Sequence, residues 1–142
     1  MRHTALAFAT ASCLLWLGMV LAISFLEAPL KFRAPGVSLQ VGLSIGRVVF
    51  RALNRIEVVL AAVLVVSCAG VTRNTAPLTL AACTAAVLGV QLAAVRPALS
   101  HRSDRVLAGE TSARSHAHHA YIGLETVKTG LLVATAILLL LH

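Results

Sequence analysis

The chain has 142 residues, 58% of them hydrophobic and 12% charged, with a mean hydropathy of +0.89 and a formal net charge of +7. A soluble domain carries about a quarter charged residues, so this composition excludes an ordinary water-soluble domain and reads as one polytopic membrane unit without room for a second. The excess positive charge has no aromatic interleaving and no nucleic-acid motif beside it, which argues against a nucleic-acid partner.

Four spans are predicted in chain order. An uncharged run from Thr4 to Leu26 is long enough for a bilayer core of ~30 Å and too long for the core of a signal peptide, so 4–26 reads as a retained first helix. The uncharged stretch between Glu57 and Arg73 is too short to cross, so the second span, 53–72, must begin near Leu53 and draw Arg55 and Glu57 into its first turns. Arg55 can snorkel to the interface, whereas the shorter Glu57 has less reach. The third span, 74–95, has Pro77 in its first turn, Gln91 as its strongly polar residue and Pro97 just past its end. The fourth, 120–141, is long enough only if it includes Glu125 and Lys128. Cys13, Cys68 and Cys83 fall inside apolar runs, share no metal-binding spacing and read as small hydrophobes.

Positive charge sets the expected orientation. The connections 27–52 and 96–119 with their flanks hold Lys31, Arg33, Arg47, Arg51, Arg55, Arg96, Arg102, Arg105 and Arg114, against Arg2 and Arg73 on the other side. Both long connections should therefore be cytoplasmic and both termini outside. Within the first of them, "SLQVGLSIGRVVFRALNRIE" gathers Gln40, Ser44, Arg47, Arg51, Asn54 and Arg55 in one helical sector and Val41, Ile45, Val48, Val49, Phe50 and Ile56 opposite. This is a basic amphipathic helix preceding the second span, either lying in the interface or extending that span into the cytoplasm, with Arg47, Arg51 and Arg55 facing lipid headgroups or a partner. Gly42 and Gly46 form a small-xxx-small pair that permits close helix contact. A shift of 68 residues lays Pro29 on Pro97 and Glu57 on Glu125, so the chain also reads as two parallel helical hairpins related by an axis along the membrane normal.

The intramembrane polar residues are the candidate site. Glu27 closes the first span, Glu57 opens the second and Glu125 opens the fourth, with Lys128 about 12 Å past Ala120. A charge at that depth costs ~2.5–3.5 kcal/mol and needs a partner; Glu125, three residues before, is on the same helix face. His118, Tyr121, Glu125, Lys128, Thr129 and Leu132 share a stripe that should face the bundle interior. Glu27, Glu57, His118, Tyr121, Glu125 and Lys128 are thus the candidate polar pocket; the alternative is a set of charges that only neutralise one another and fix helix register. His116, His118 and His119 are candidate metal ligands, but a regular helix cannot turn all three to one ion, and the first three spans contain no histidine with which to ligate haem from a facing helix.

The segments "ISFLEAPLKFRAP", "GRVVFRALNRIE" and "HAHHAYIGLETVK" together resemble small bacterial integral membrane proteins of the domain-of-unknown-function family 4149, which is similar to the eukaryotic transmembrane protein 205 group. The shared features are a span ending in a small-residue–Pro–Phe/Arg loop, a Gly-Arg-x-x-Phe entry to the second span and a polar entry to the last. The Glu125/Lys128 pair and the histidine run stand outside that pattern. The resemblance implies a four-helix bundle in a bacterial cytoplasmic membrane and carries no activity.

Three functions remain open from the sequence. The first is a non-enzymatic accessory or scaffold subunit that meets the bilayer, anionic headgroups on its cytoplasmic side, itself or other membrane subunits. The second is a small oligomeric transporter or proton-coupled permease using Glu57, Glu125 and Lys128. The third is a redox subunit holding a metal or haem. Phosphate-loop, nucleophile-elbow and HExxH motifs are absent.

Overall fold

The computed structural model describes residues 2–71, 75–108 and 116–141. Among these the chain is all helical, with four helices long and apolar enough to cross a membrane. The first, α1, runs Arg2–Arg33; α2 is Leu39–Val71. The third, α3, starts as Ala76–Val90 and passes through a π turn, Gln91–Val95, into Arg96–Leu107. The last, α4, is His116–Leu140. Helix α1 packs on α2 and α4, and α3 packs on the same two, so successive helices are neighbours around a four-membered ring.

The α1–α2 corner is written in four residues. Ala34-Pro35-Gly36-Val37 closes with the Val37 N–H on the Ala34 carbonyl at 3.2 Å. Gly36 takes φ +79°, the left-handed backbone that the third position of a type II turn needs, with proline at the second. Ser38 then caps α2, its Oγ accepting the Val41 N–H at 3.3 Å. Because α2 is helical from Leu39, the basic amphipathic stretch is an unbroken extension of the second span, not a separate interfacial helix. Gly42 and Gly46 have a use here: a Cβ on Gly42 would stand 2.4 Å from the Phe32 ring, and one on Gly46 2.8 Å from Lys31 Nζ. The end of α1 is seated on α2 through those two missing side chains. Gly42→Leu is therefore expected to cost about 1–3 kcal/mol by overpacking, read as a lower midpoint in thermal unfolding. Gly42→Ala should come near break-even, since helix propensity returns ~1 kcal/mol and the half-exposed Phe32 ring can swing away.

Two π turns interrupt the regular helices, Leu21–Glu27 in α1 and Gln91–Val95 in α3. Each is followed, two residues on, by a proline, Pro29 and Pro97. Proline cannot donate to the carbonyl four residues back and its ring crowds that carbonyl; a widened turn just upstream moves the carbonyl aside. In the 68-residue register the two turns end on equivalent residues, Glu27 and Val95.

The core is one stripe per helix, repeating every one or two helical turns: Ala9, Cys13, Trp16 and Val20 on α1, Leu60, Leu64 and Cys68 on α2, Ala81 and Leu88 on α3, Leu132, Ala136 and Leu139 on α4. The same stripes hold the buried polar side chains, whereas large apolar residues such as Val59 and Val66 point outward, 61% and 72% exposed. This inversion of a soluble bundle is what lipid as solvent selects, since lipid tails give apolar side chains no reason to turn inward. At one end Arg2 Nε donates to the Val71 carbonyl at 3.4 Å, a cation on the C-terminal carbonyls of α2. At the other, Arg47 pairs with Asp104 at 2.6 Å, tying α2 to α3; both groups are partly exposed, so the pair contributes about 0–1 kcal/mol.

Candidate functional site

Glu125 and Lys128 lie one helical turn apart on the inward stripe of α4, and this spacing puts the ammonium and carboxylate side by side. Lys128 is 0% exposed, Glu57 1% and Glu125 2%. Lys128 Nζ donates to Glu57 Oε1 of α2 at 2.5 Å and to Gln91 Oε1 of α3 at 3.0 Å. It stands 2.9 Å from Glu125 Oε2, an ion pair whose angle falls short of a directed hydrogen bond. An ammonium has three donors and no acceptor, and here three oxygens from three helices surround it. Because lysine can only donate, the Gln91 amide must present its oxygen, leaving Nε2 without a partner.

A second layer holds the carboxylates. Trp16 Nε1 of α1 donates to Glu57 Oε1 at 2.9 Å, so the fourth helix also enters the cluster. Glu125 Oε1 accepts from Tyr121 OH at 2.6 Å and from Ser24 Oγ at 3.2 Å. Ser24 and Gln91 both come from π turns. π turns are frequent where a helix must present a side chain for a specific purpose, and each half of the chain contributes one such side chain to this cluster. The halves also contribute one glutamate each, Glu57 and Glu125, and the two converge on a single cation. The residue equivalent to Lys128 in the first half is Leu60, so the cation belongs to one half only.

One end of the cluster is closed by a stack around Phe50. Tyr121 meets the Phe50 ring edge-on, with centroids 5.7 Å apart. The Arg96 guanidinium lies 5.1 Å and Lys31 Nζ 5.2 Å from the same ring centre, and Arg96 Nη2 donates to the Phe50 carbonyl at 2.7 Å.

Of the residues singled out from the sequence, Glu57, Tyr121, Glu125 and Lys128 are brought together. Glu27 is not among them: it pairs with Lys31 at 3.3 Å, one turn away on its own helix. The side chains of His116 and His118 lie outside the described residues, and His119 is exposed. No group of three or more His, Cys, Asp or Glu side chains that could hold a metal forms among the described residues. Arg47 is engaged with Asp104, whereas Arg51 and Arg55 are exposed. Sequence reasoning missed Trp16, Ser24 and Arg96. Gln91 carried a signal, as the strongly polar residue of the third span, but nothing in the spacing of α1 marks Trp16 as a carboxylate partner.

Chemically the cluster is a buried ionic centre with contributions from all four helices of a membrane-type bundle. Comparison with protein-family models, curated proteins and solved structures finds no match for the chain.

Proposed function

We propose that this chain is a non-enzymatic integral membrane protein, an accessory or scaffold subunit, whose Glu57–Lys128–Glu125 centre clamps four helices in one register. The observation that carries the reading is the engagement of Lys128 at 0% exposure: it donates hydrogen bonds to α2 and α3 and forms an ion pair with Glu125 of its own helix, α4. A buried ion cluster adds little net stability but can enforce a unique arrangement, because every misregistered packing leaves a bare charge in hydrocarbon. The proposed setting is a bacterial cytoplasmic membrane with both termini outside. Its support is the gathering of Lys31, Arg33, Arg47, Arg51, Arg55 and Arg96 at one end of the bundle.

The test is the charge-neutral variant Lys128→Met/Glu57→Gln/Glu125→Gln, gently extracted and examined by native mass spectrometry. The expected result is a folded chain that still appears in the same assembly with other subunits as the wild type. A wild type that appears only as a bare chain or homo-oligomer overturns the subunit reading.

A second reading, a small oligomeric transporter or proton-coupled permease, is favoured by one specific feature. Glu57 and Glu125 are equivalent in the 68-residue register and meet at the interface of the two halves with a π turn on either side, which is where transporters built from repeats place their sites. It predicts that wild-type proteoliposomes dissipate a pH gradient and that Glu125→Gln abolishes this with the fold intact. The scaffold reading predicts no dissipation by either protein.

A further inference from the structure

We infer that Arg51 and Arg55 form a binding site for the phosphate of an anionic phospholipid, with the outer face of α2 as the track for its acyl chain. The inference goes beyond the clamp and does not depend on it.

The described carboxylates are all spoken for: Glu27 by Lys31, Asp104 by Arg47, Glu57 and Glu125 by Lys128. Arg51 and Arg55 are exposed and have no hydrogen-bond or ion-pair partner among the described residues. They lie one turn apart on α2, so two guanidiniums about 6 Å apart along the axis can grip one phosphodiester from neighbouring sides. Arg47, one turn earlier, is already held by Asp104 and is excluded from the pair.

Depth and shape select a lipid over a soluble anion. Measured back from Val71, the outer end of α2, Arg55 is ~24 Å and Arg51 ~30 Å along the helix. Arg51 thus stands at the far edge of a ~30 Å hydrocarbon core, and Arg55 one turn inside it, from where its long side chain can snorkel to headgroup level. On the same side of the helix the chain continues inward as Val58, Val59, Ala62 and Val66, all exposed. From Arg55 to Val66 is ~16 Å, about the depth of one leaflet. A zwitterionic headgroup would bring its own ammonium against the two arginines, so an anionic headgroup is preferred.

The test uses the full-length chain in mixed bilayers with spin-labelled phosphatidylglycerol or phosphatidylcholine, comparing the motionally restricted fraction by electron spin resonance. The expected result is a preference for phosphatidylglycerol that falls roughly 5-fold for each arginine removed, in Arg51→Gln and in Arg51→Gln/Arg55→Gln, but not in Arg47→Gln. Because both side chains are exposed, the fluorescence of the single tryptophan, Trp16, should be unchanged and so certify the fold. Equal restriction of the two lipids by the wild type overturns the inference, as does a preference that survives in the double variant. So does displacement of the labelled lipid by millimolar inorganic phosphate, which would reassign the pair to a soluble anion. A co-purifying acidic polypeptide that occupies Arg51 and Arg55 and abolishes the lipid preference would likewise overturn it.

Discussion

Lys128→Met is expected to destabilise the bundle by about 3–5 kcal/mol, the cost of removing one partner from a buried ionic cluster. The ammonium is the only cation within hydrogen-bond reach of both Glu57 and Glu125 among the described residues. Its loss leaves two carboxylates facing each other at 1% and 2% exposure. Adding Glu57→Gln and Glu125→Gln should recover most of the loss. A glutamine oxygen can still accept from Trp16 at position 57, and from Tyr121 and Ser24 at position 125, while Gln91 Oε1 becomes free to accept a glutamine N–H. Denaturant titration in mixed micelles, followed by tryptophan emission, measures both steps. A single variant as stable as the wild type would mean that Lys128 is not the keystone of the packing. A triple variant no more stable than the single one would show that the ionic form itself, and not mere relief of charge, is required.

The second large effect is expected at Trp16. The indole is fully buried in the core stripe of α1 and also hydrogen-bonds Glu57. Trp16→Ala should cost about 3–5 kcal/mol from the cavity left behind, with a further penalty because the buried Glu57 loses a donor. Trp16→Phe separates the two contributions. The ring keeps most of the packing, and the loss of one hydrogen bond to a charged group is expected to cost about 1.5–3 kcal/mol. Thermal unfolding followed by helical circular dichroism reads both variants without relying on the tryptophan. If Trp16→Phe matches the wild type, the indole N–H is incidental and Glu57 is held by Lys128 alone.

The clamp and the permease readings differ in what they ask of these same residues. A clamp tolerates neutralisation of the whole cluster, because complementarity of shape and hydrogen bonding survives it. A proton path does not, because the exchangeable groups are gone. The neutral triple variant therefore discriminates between them even if each single variant misfolds.

Much of the architecture was legible in the chain as written. The number of membrane-type helices follows from uncharged run length against bilayer thickness, since each residue adds a fixed 1.5 Å of rise. The pairing of Glu125 with Lys128 follows from their three-residue spacing, and the inward stripe of α4 from the cost of turning either charge to lipid. The two π turns were foreshadowed by Pro29 and Pro97, because proline acts on its own backbone whatever packs around it. These are local properties, carried by the sequence itself.

The rest was decided by the tertiary structure. No spacing within a helix says which helix faces it, so the sequence could not reveal that Glu57, Gln91 and Lys128 share one ammonium, or that Trp16 binds the carboxylate from a fourth helix. Glu27 and Glu125 look alike as carboxylates near the ends of spans, yet one meets Lys31 at the periphery and the other the buried centre. The unbroken start of α2 at Leu39 was likewise undetermined: the amphipathic pattern suits an interfacial helix and an extension equally. What settled it was the seating of Phe32 and Lys31 against Gly42 and Gly46, a contact between two helices that neither segment specifies alone.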